Sequence, residues 1–304
     1  MESGRNREFR AWRVAETENS GYGKEECVMK IGNRQFDTAN ETYIMGILNV
    51  TPDSFSDGGK FNTLDKALAH TEQMIAEGAD IIDIGGESTR PGYTKLSDEE
   101  EKERVLPVIE AVKARFDIPV SIDTYKSGVA RAAIAAGADL INDIWGLKYD
   151  PAMADVIAQS KLPCCLMHNR DNTNYRDFVA DVLADLEQTL ELAQKAGISY
   201  ENIMIDPGIG FGKTYEQNLQ MLAQLESLHT FGLPVLLAAS RKSVIGLTLN
   251  LDKEQRLEGT IATSVIGVMK GCSFVRVHDV KENLRAVRMA LAVRKAGTDS
   301  GRHM

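Results

Sequence analysis

Cysteine, histidine, tryptophan and positive charge are all scarce in this 304-residue chain, and each shortage excludes something. The four cysteines, Cys27, Cys164, Cys165 and Cys272, form no C-x-x-C pair, which removes the common zinc and dithiol motifs. Cys164 and Cys165 lie inside an apolar run, and all four read as small reduced core residues of a cytoplasmic protein. The five histidines neither cluster nor form an H-E-x-x-H pattern, so a dedicated all-protein metal cage is not expected. Acidic residues outnumber basic ones by 44 to 35, for a net charge of −9. That balance argues against a general nucleic-acid binder or a protein drawn to anionic membranes. No apolar run approaches the ~20 residues needed to cross a bilayer. No Pro/Gly/Ser-rich linker divides the chain, although its length would allow two small domains.

What is present is a repeat. A short apolar run ends in a chemically capable group, a helix-like stretch follows, and the pattern recurs about eight times. The runs are Tyr43–Val50, Asp80–Ile84, Ile118–Asp123, Asp139–Asn142, Leu162–His168, Asn202–Asp206, Leu233–Ala238 and Ser273–Val277. At or just past their ends stand Asn49, Asp83 with Glu87, Asp123, Asn142 with Asp143, His168, Asp206, Ser240-Arg241-Lys242, and Arg276 with His278. Strands that alternate with helices run parallel, and about eight such units close into a barrel whose strand ends share one mouth. The fold class is therefore α/β, a single (β/α)8 TIM barrel. A short hairpin at Val28–Ile31 and Gln35–Asp37 precedes it.

Residues 1–26 read as a flexible extension. Arg5, Arg7, Arg10 and Arg13 around Phe9 and Trp12 give it a presequence-like look, but Glu2, Glu8, Glu16 and Glu18 argue against that role. The catalytic domain is expected at 27–296 and a tail at 297–304. Helical periodicity predicts Leu64–Glu77, Asp98–Arg115, Ser127–Ala136, Phe178–Lys195, Tyr215–Leu228, Glu254–Met269 and Asn283–Lys295. Gly78, Gly137, Gly197 and Gly271 stand where helix C-caps belong, and Ser97-Asp98-Glu99-Glu100 has the form of a capping box. Glu77-Gly-Ala-Asp80 and Ala136-Gly-Ala-Asp139 repeat one helix-to-strand junction. The loops Thr51–Asn62 and Gly85–Leu96 exceed the usual ~2–6 residues, as covers over a substrate would.

Several acids, Asp83, Glu87, Asp123 and Asp143, gather near one mouth, which suits a magnesium ion shared with a substrate phosphate better than a protein cage. His278, two residues after Arg276, faces the same side of an extended segment, so the pair can grip a phosphate, or Asp279 can simply pair with the arginine. His168 reads as a wall residue, and His70 and His229 as surface residues. The run Ile205–Thr214 is not a Walker A loop, because Pro207 stands where glycine is needed, and Lys213 breaks G-x-G-x-x-G. Its glycines still let backbone approach a ligand. Asp206 at its start either binds that ligand or caps the turn.

Taken together, these motifs resemble those of dihydropteroate synthase. Gly46-Ile-Leu-Asn-Val-Thr-Pro-Asp-Ser-Phe-Ser-Asp-Gly-Gly59 is similar to the opening signature of that family, and Gly85-Gly-Glu-Ser-Thr-Arg-Pro-Gly92 to its second loop. Ser121–Thr124, Ile141–Asp143, Asp206–Lys213, Ser240–Lys242 and Arg276–His278 follow in family order, so the resemblance covers about residues 28–295. It implies a transferase of folate biosynthesis. Such an enzyme joins 4-aminobenzoate to 6-hydroxymethyl-7,8-dihydropterin diphosphate, releasing diphosphate and 7,8-dihydropteroate. It further implies Mg2+ as cofactor, a homodimer built on late helices such as Ala262–Met269 and Val287–Val293, and sulfonamides as competitive inhibitors.

By the same resemblance, Asp123, Asn142, Met167, Asp206, Phe211 and Lys242 bind the pterin, and Asn49, Arg276 and His278 the diphosphate. Phe55, Thr89, Arg90, Pro91 and Lys242 take the 4-aminobenzoate, while Asn49, with Asp57 and Asp123, touches the metal. Asp123, Lys242, Arg90 and Thr89 become the catalytic residues. Asp123 would stabilise the cation left by departing diphosphate in an SN1-like substitution. Two rivals stay open. A pterin-dependent methyltransferase would not need the Arg276–His278 grip or the loop Ser88–Pro91. A non-catalytic pterin-binding paralogue would not need to keep Asp123, Arg90 and Lys242.

Overall fold

The computed structural model of the protein describes residues 28–51, 60–87 and 95–299. It begins with an antiparallel pair, β1 (Val28–Ile31) and β2 (Arg34–Asp37). Then come β3 (Tyr43–Asn49), α1 (Lys60–Glu77), β4 (Ile81–Gly85), α2 (Asp98–Arg115), β5 (Val120–Asp123), α3 (Ser127–Ala135), β6 (Leu140–Asp143) and α4 (Met153–Ser160). The second half holds β7 (Cys164–Met167), α5 (Phe178–Ala196), β8 (Ile203–Asp206), α6 (Tyr215–Ala223), β9 (Leu236–Leu237), α7 (Ser243–Leu249), α8 (Leu257–Met269), β10 (Phe274–Val277) and α9 (Val280–Asp299). The parallel sheet runs β8-β7-β6-β5-β4-β3-β10-β9. A parallel bridge from Ile205 to Val235 joins its two ends and closes the barrel.

Three strands begin two or three residues later than their apolar runs, for one reason. Pro119, Pro163 and Pro234 precede β5, β7 and β9, and without an N–H they cannot donate to a ladder. Each still accepts from the preceding strand through its carbonyl: Ile82 N at 3.0 Å, Ile141 N at 3.2 Å and Ile205 N at 3.0 Å. The effect is largest at β9, where the run Leu233–Ala238 yields a strand of two residues.

Side-chain alternation separates two apolar layers. Ile44, Ile82, Ile84, Val120, Ile122, Ile141, Cys164, Leu166, Ile203, Ile205 and Val275 face the helices. Met45, Ile81, Leu140, Cys165, Met204, Leu236 and Phe274 fill the interior, and Met29, Ile31 and Phe36 of the hairpin pack onto them. The hairpin is thus a plug for the N-terminal end of the barrel. Burying its three side chains contributes about 1.5–3 kcal/mol each.

The repeated Gly-Ala-Asp junction has a physical role at the same end. Asp80 Oδ2 accepts from Ile44 N and Asp139 Oδ2 from Val120 N, each at 2.8 Å. Their backbones close the reciprocal bonds, Asp80 N to Ile44 O at 2.8 Å and Asp139 N to Val120 O at 2.7 Å. Lys113 adds an ion pair to Asp139 at 2.7 Å. The four expected C-cap glycines all have positive φ, and the Ser97–Glu100 capping box is formed.

Some helices differ from the periodicity. α4 and α7, of eight and seven residues, were not foreseen, being too short to show a repeat. The expected helix Tyr215–Leu228 divides into α6 and a 3-10 segment, Leu225–Phe231, and the segment expected from Glu254 becomes α8 only at Leu257. Conversely, α9 starts at Val280, three residues before the expected Asn283. Cys164, Cys165 and Cys272 are buried free thiols, whereas Cys27 lies outside the described residues.

The junction makes a stability prediction. Asp80→Ala and Asp139→Ala each strand an N–H in the first two residues of a strand, which costs about 1–3 kcal/mol. Urea unfolding should show lower midpoints at an unchanged slope. Unaltered midpoints would mean that the carboxylates contribute nothing there.

Candidate active site

Reading each strand's interior positions from bottom to top, apolar residues give way to polar ones. The sequence of inward positions is Met45, Ile47, Asn49 on β3 and Ile81, Asp83, Gly85 on β4. It is Ser121, Asp123 on β5, Leu140, Asn142 on β6, Cys165, Met167 on β7 and Met204, Asp206 on β8. On β10 it is Phe274 and Arg276, with His278 just beyond. Because the period is two residues, every group that reaches the mouth stands above an interior side chain. Asn49, Asp123, Asn142, Met167, Asp206 and Arg276 share this C-terminal end of the barrel.

Arg276 is the centre of the arrangement. Its Nε donates to Asp83 Oδ2 at 2.5 Å and its Nη2 to Asp123 Oδ2 at 2.6 Å. Asn142 Nδ2 also donates to Asp83 Oδ2, at 3.4 Å. Asp83 is fully buried, and the guanidinium supplies the counter-charge that a buried carboxylate requires. Among the described residues, Asp83 Oδ1 and Ser121 Oγ are the buried side-chain atoms without a partner, and the two residues face each other in the β4–β5 register. Burial pushes the Asp123 carboxyl above its ordinary range. Arg276 opposes that rise and the neighbouring Asp83 charge reinforces it. The alternative in which Asp279 pairs with Arg276 is not what forms, because Arg241 holds Asp279 with two bonds, at 3.1 and 2.5 Å.

The other side of the mouth is organised by Asp206 and Lys242. Asp206 is buried and its Oδ1 accepts Gly208 N at 2.6 Å, so it does cap the turn that follows it. Burial raises its carboxyl to about 6. Lys242 Nζ sits 4.1 Å from the centroid of the Phe211 ring, a cation–π contact. Burial and the charge of Arg276 lower its ammonium to about 8. Met167 joins Tyr125 and Ile144 in a small apolar cluster against which Trp145 and Phe211 pack. His278 Nδ1 lies 2.9 Å from Ser240 Oγ, which also accepts the His278 backbone N–H at 3.2 Å. Burial and the nearby Arg241 and Arg276 lower His278 to about 3, so it is neutral at neutral pH. In the tautomer whose Nδ1 accepts the Ser240 hydroxyl, the ring proton sits on Nε2.

Two expected mouth residues have other work. Asp143 points away from the interior and accepts Trp145 N and Leu147 N at 2.9 and 2.7 Å. Glu87 anchors the second long loop. Its Oε2 accepts Lys126 Nζ at 2.6 Å and Leu96 N at 2.9 Å, and Tyr125 OH bonds to its Oε1. Lys126 also reaches Glu101 at 2.7 Å and the Leu96 carbonyl at 2.9 Å, so one ammonium ties both ends of that loop. Burial raises the Glu87 carboxyl, but these hydrogen bonds bring it below its ordinary value. Phe55, Asp57, Thr89, Arg90 and Pro91 lie outside the described residues.

Sequence reasoning placed Asp83 and Ser240 among the strand-end groups, Asp83 as one of several acids at the mouth, but gave no individual role to either, nor to Lys126 or Lys213. A signal existed for Asp83, a carboxylate at an inward position of an otherwise apolar strand. For Lys126 none did, since its partners are distant in sequence, and for Lys213 the orienting His168 is met only in the fold. His168 has the wall role expected of it, fully buried between Asp185 and Lys213. His229 does make a contact, its ring Nε2 lying 2.7 Å from the Lys270 carbonyl oxygen.

Comparison with known proteins gives a consistent result. A family described as pterin binding enzyme matches residues 45–278. The dihydropteroate synthase of Clostridium beijerinckii is 62% identical over 262 residues, covering 86% of this chain and 97% of that protein. A crystal structure of dihydropteroate synthase from Clostridium difficile in the presence of pteroic acid is similar with a TM-score of 0.83 at 52% identity. It covers 85% of this chain and 98% of its own. The Yersinia pestis enzyme in complex with a sulfonamide drug gives a TM-score of 0.83 at 43% identity, over 88% of this chain and 99% of that one.

Removing Asp83 tests the central ion pair. Asp83→Ala leaves Arg276 buried with one carboxylate, and breaking a buried pair costs about 3–5 kcal/mol. Asp83→Asn, which keeps an acceptor for Nε, should cost less. Equal urea midpoints for both variants and the parent chain would show that Asp83 does not hold Arg276.

Proposed function

The chain belongs to the dihydropteroate synthase family of pterin-binding enzymes, and from that premise we propose how its residues divide the reaction among them. The enzyme is a transferase of folate biosynthesis that condenses 4-aminobenzoate with 6-hydroxymethyl-7,8-dihydropterin diphosphate to give 7,8-dihydropteroate and diphosphate. What supports the division is the convergence of Asn49, Asp123, Asn142, Asp206, Lys242 and Arg276 on one mouth.

Asp206 accepts from the donor edge of the pterin, as a carboxylate accepts from an amidine. Asn142, able to donate and accept, takes the mixed edge. Lys242 donates to the pterin carbonyl and ring nitrogen, and Met167 and Phe211 cover the ring faces. Arg276, held from behind by Asp83, takes the diphosphate together with Asn49 and the Nε2–H of His278. The C–O bond to diphosphate breaks first, and its electron pair leaves with the diphosphate. As Arg276 turns its charge to the phosphates, the Asp123 carboxylate is left to face the cation spreading into the pterin. The amine nitrogen of 4-aminobenzoate then forms the C–N bond and loses a proton to solvent. Phe55, Thr89, Arg90 and Pro91, with Lys242, take the 4-aminobenzoate, and sulfonamides compete for that place. Thr89 and Arg90 share the catalytic role with Asp123 and Lys242.

Among the described residues, no three His, Cys, Asp or Glu side chains come together to hold a metal ion. The available donors fit magnesium carried mainly by diphosphate oxygens, with Asn49 as a protein ligand, Asp123 beside it and Asp57 as a further candidate. When bound, the ion would offset the charge of the departing diphosphate. Among the described residues, no helix is long and apolar enough to cross a membrane. That, with three free thiols, supports a cytoplasmic location.

Incubation with both substrates and magnesium tests this reading, and diphosphate should appear only when both are present. Asp123→Asn should lower kcat by about 10²–10³-fold with little change in pterin affinity, since it acts on charge that develops late. Equal losses in single-turnover rate and calorimetric affinity would remove Asp123 from that role.

A homodimer is part of the proposal. Ile266 and Met269 on α8, and Met289 and Val293 on α9, are 40 to 65% exposed on two helices packed together. A second copy of the chain covers this apolar face. Sedimentation should give a dimer, and Ile266→Glu with Met289→Glu should give a folded monomer. A double variant that sediments as the parent does would place the interface elsewhere.

A further inference from the structure

Lys213 carries no assigned role, yet its ammonium is buried beneath the pterin-facing loop. It has three hydrogens and three partners. They are His168 Nδ1 at 2.8 Å, the Gly208 carbonyl at 3.0 Å and the Phe211 carbonyl at 3.0 Å. Gly208 and Phe211 are the ends of one turn, closed by Phe211 N donating to Gly208 O at 3.1 Å. A single cation therefore grips both ends. Burial lowers this ammonium to about 7, against the opposing charges of Asp206 and Asp185. In its charged form it has no acceptor, so His168 Nδ1 accepts and the ring proton sits on Nε2. From there it meets Asp185 Oδ2 at 3.0 Å, which Arg170 Nε also holds at 2.5 Å.

The turn's geometry makes the grip consequential. Gly208 has φ +69°, and a Cβ there would lie 2.0 Å from the His168 carbonyl oxygen, so the loop rests directly on the residue that orients Lys213. Gly208 N is the donor that orients Asp206. Phe211 is the ring that Lys242 covers. Both groups hang on the segment whose carbonyls Lys213 holds.

We propose that Lys213, oriented by His168 and Asp185, is a positioning residue that sets Asp206 and Phe211 against the pterin. It does not touch the substrate. The inference rests on the reading of Asp206 as the pterin carboxylate, and its test separates the two.

Lys213→Met keeps the length of the side chain and removes the three donors. Pterin affinity by calorimetry should fall at least tenfold, and KM for the pterin diphosphate should rise by a similar factor. KM for 4-aminobenzoate at saturating pterin should change less than twofold. A purely structural lysine would instead lower the melting temperature and leave both KM values of the folded enzyme alone, which overturns the proposal. Asp206→Ala is measured beside it. Pterin affinity lost in Asp206→Ala but kept in Lys213→Met sinks the positioning role alone, whereas affinity kept in Asp206→Ala sinks the site reading. A readout on the unaltered enzyme does not depend on any variant folding. Nitrogen chemical shifts of labelled histidine should show His168 as the Nε2–H tautomer at pH 7, and an Nδ1–H tautomer would overturn the three-donor ammonium.

Discussion

A guanidinium in the mouth of a barrel must find its counter-charge within reach, and Arg276 finds it on β4 and β5. The rest of the site is arranged around that requirement. Asp83 is fully buried with Arg276 as its counter-charge, and Asp83 and Asp123 together hold the guanidinium in the mouth. A buried pair of this kind adds little net stability, since desolvation offsets the attraction, but it admits very few geometries. It joins β10 to β4 and β5 across β3, so it sets the positions of three strand ends at once. Asp123, sharing the guanidinium, is left in a balance between burial, which raises its carboxyl, and ion pairing, which lowers it.

Function is confined to one end of the barrel by the geometry of parallel strands. At the other end the hairpin plug, the Asp80 and Asp139 junctions and the prolines before β5, β7 and β9 are concerned with closure. The two tasks share strands without competing, because two residues of rise separate an interior methionine from an aspartate at the mouth. Met204 and Asp206 illustrate how short the transition is.

A recurrent device holds the loops at the working end. In each case a cationic side chain folds onto loop carbonyls or carboxylates. Lys126 ties Glu87 and Leu96 at the ends of the second loop. Lys213 ties Gly208 and Phe211. Arg256 donates to the carbonyls of Arg241 and Lys242, at 3.1 and 3.4 Å, where Arg241 itself adopts φ +57°. Loop backbone near a pocket has carbonyls that no ladder satisfies, and a buried cation with several donors can satisfy two at once while leaving the outer surface to the ligand.

The barrel was legible in the chain because apolar runs of four to eight residues, spaced by helices, have one economical closure. Strand-end polar residues were legible for the same reason, since a polar group ending an apolar run has to emerge at the mouth. Short helices were not, because seven or eight residues do not complete a repeat, and neither were the strand starts, because a proline's missing donor matters only once a neighbour is in place. Lys213 looked like no more than an interruption in a glycine motif, and Asp83 like one acid among several. Period and polarity along the chain determined which residues could reach the mouth. Which of them neutralise one another was decided only when β4, β5 and β10 were brought side by side, because an ion pair depends on distances that sequence separation does not encode.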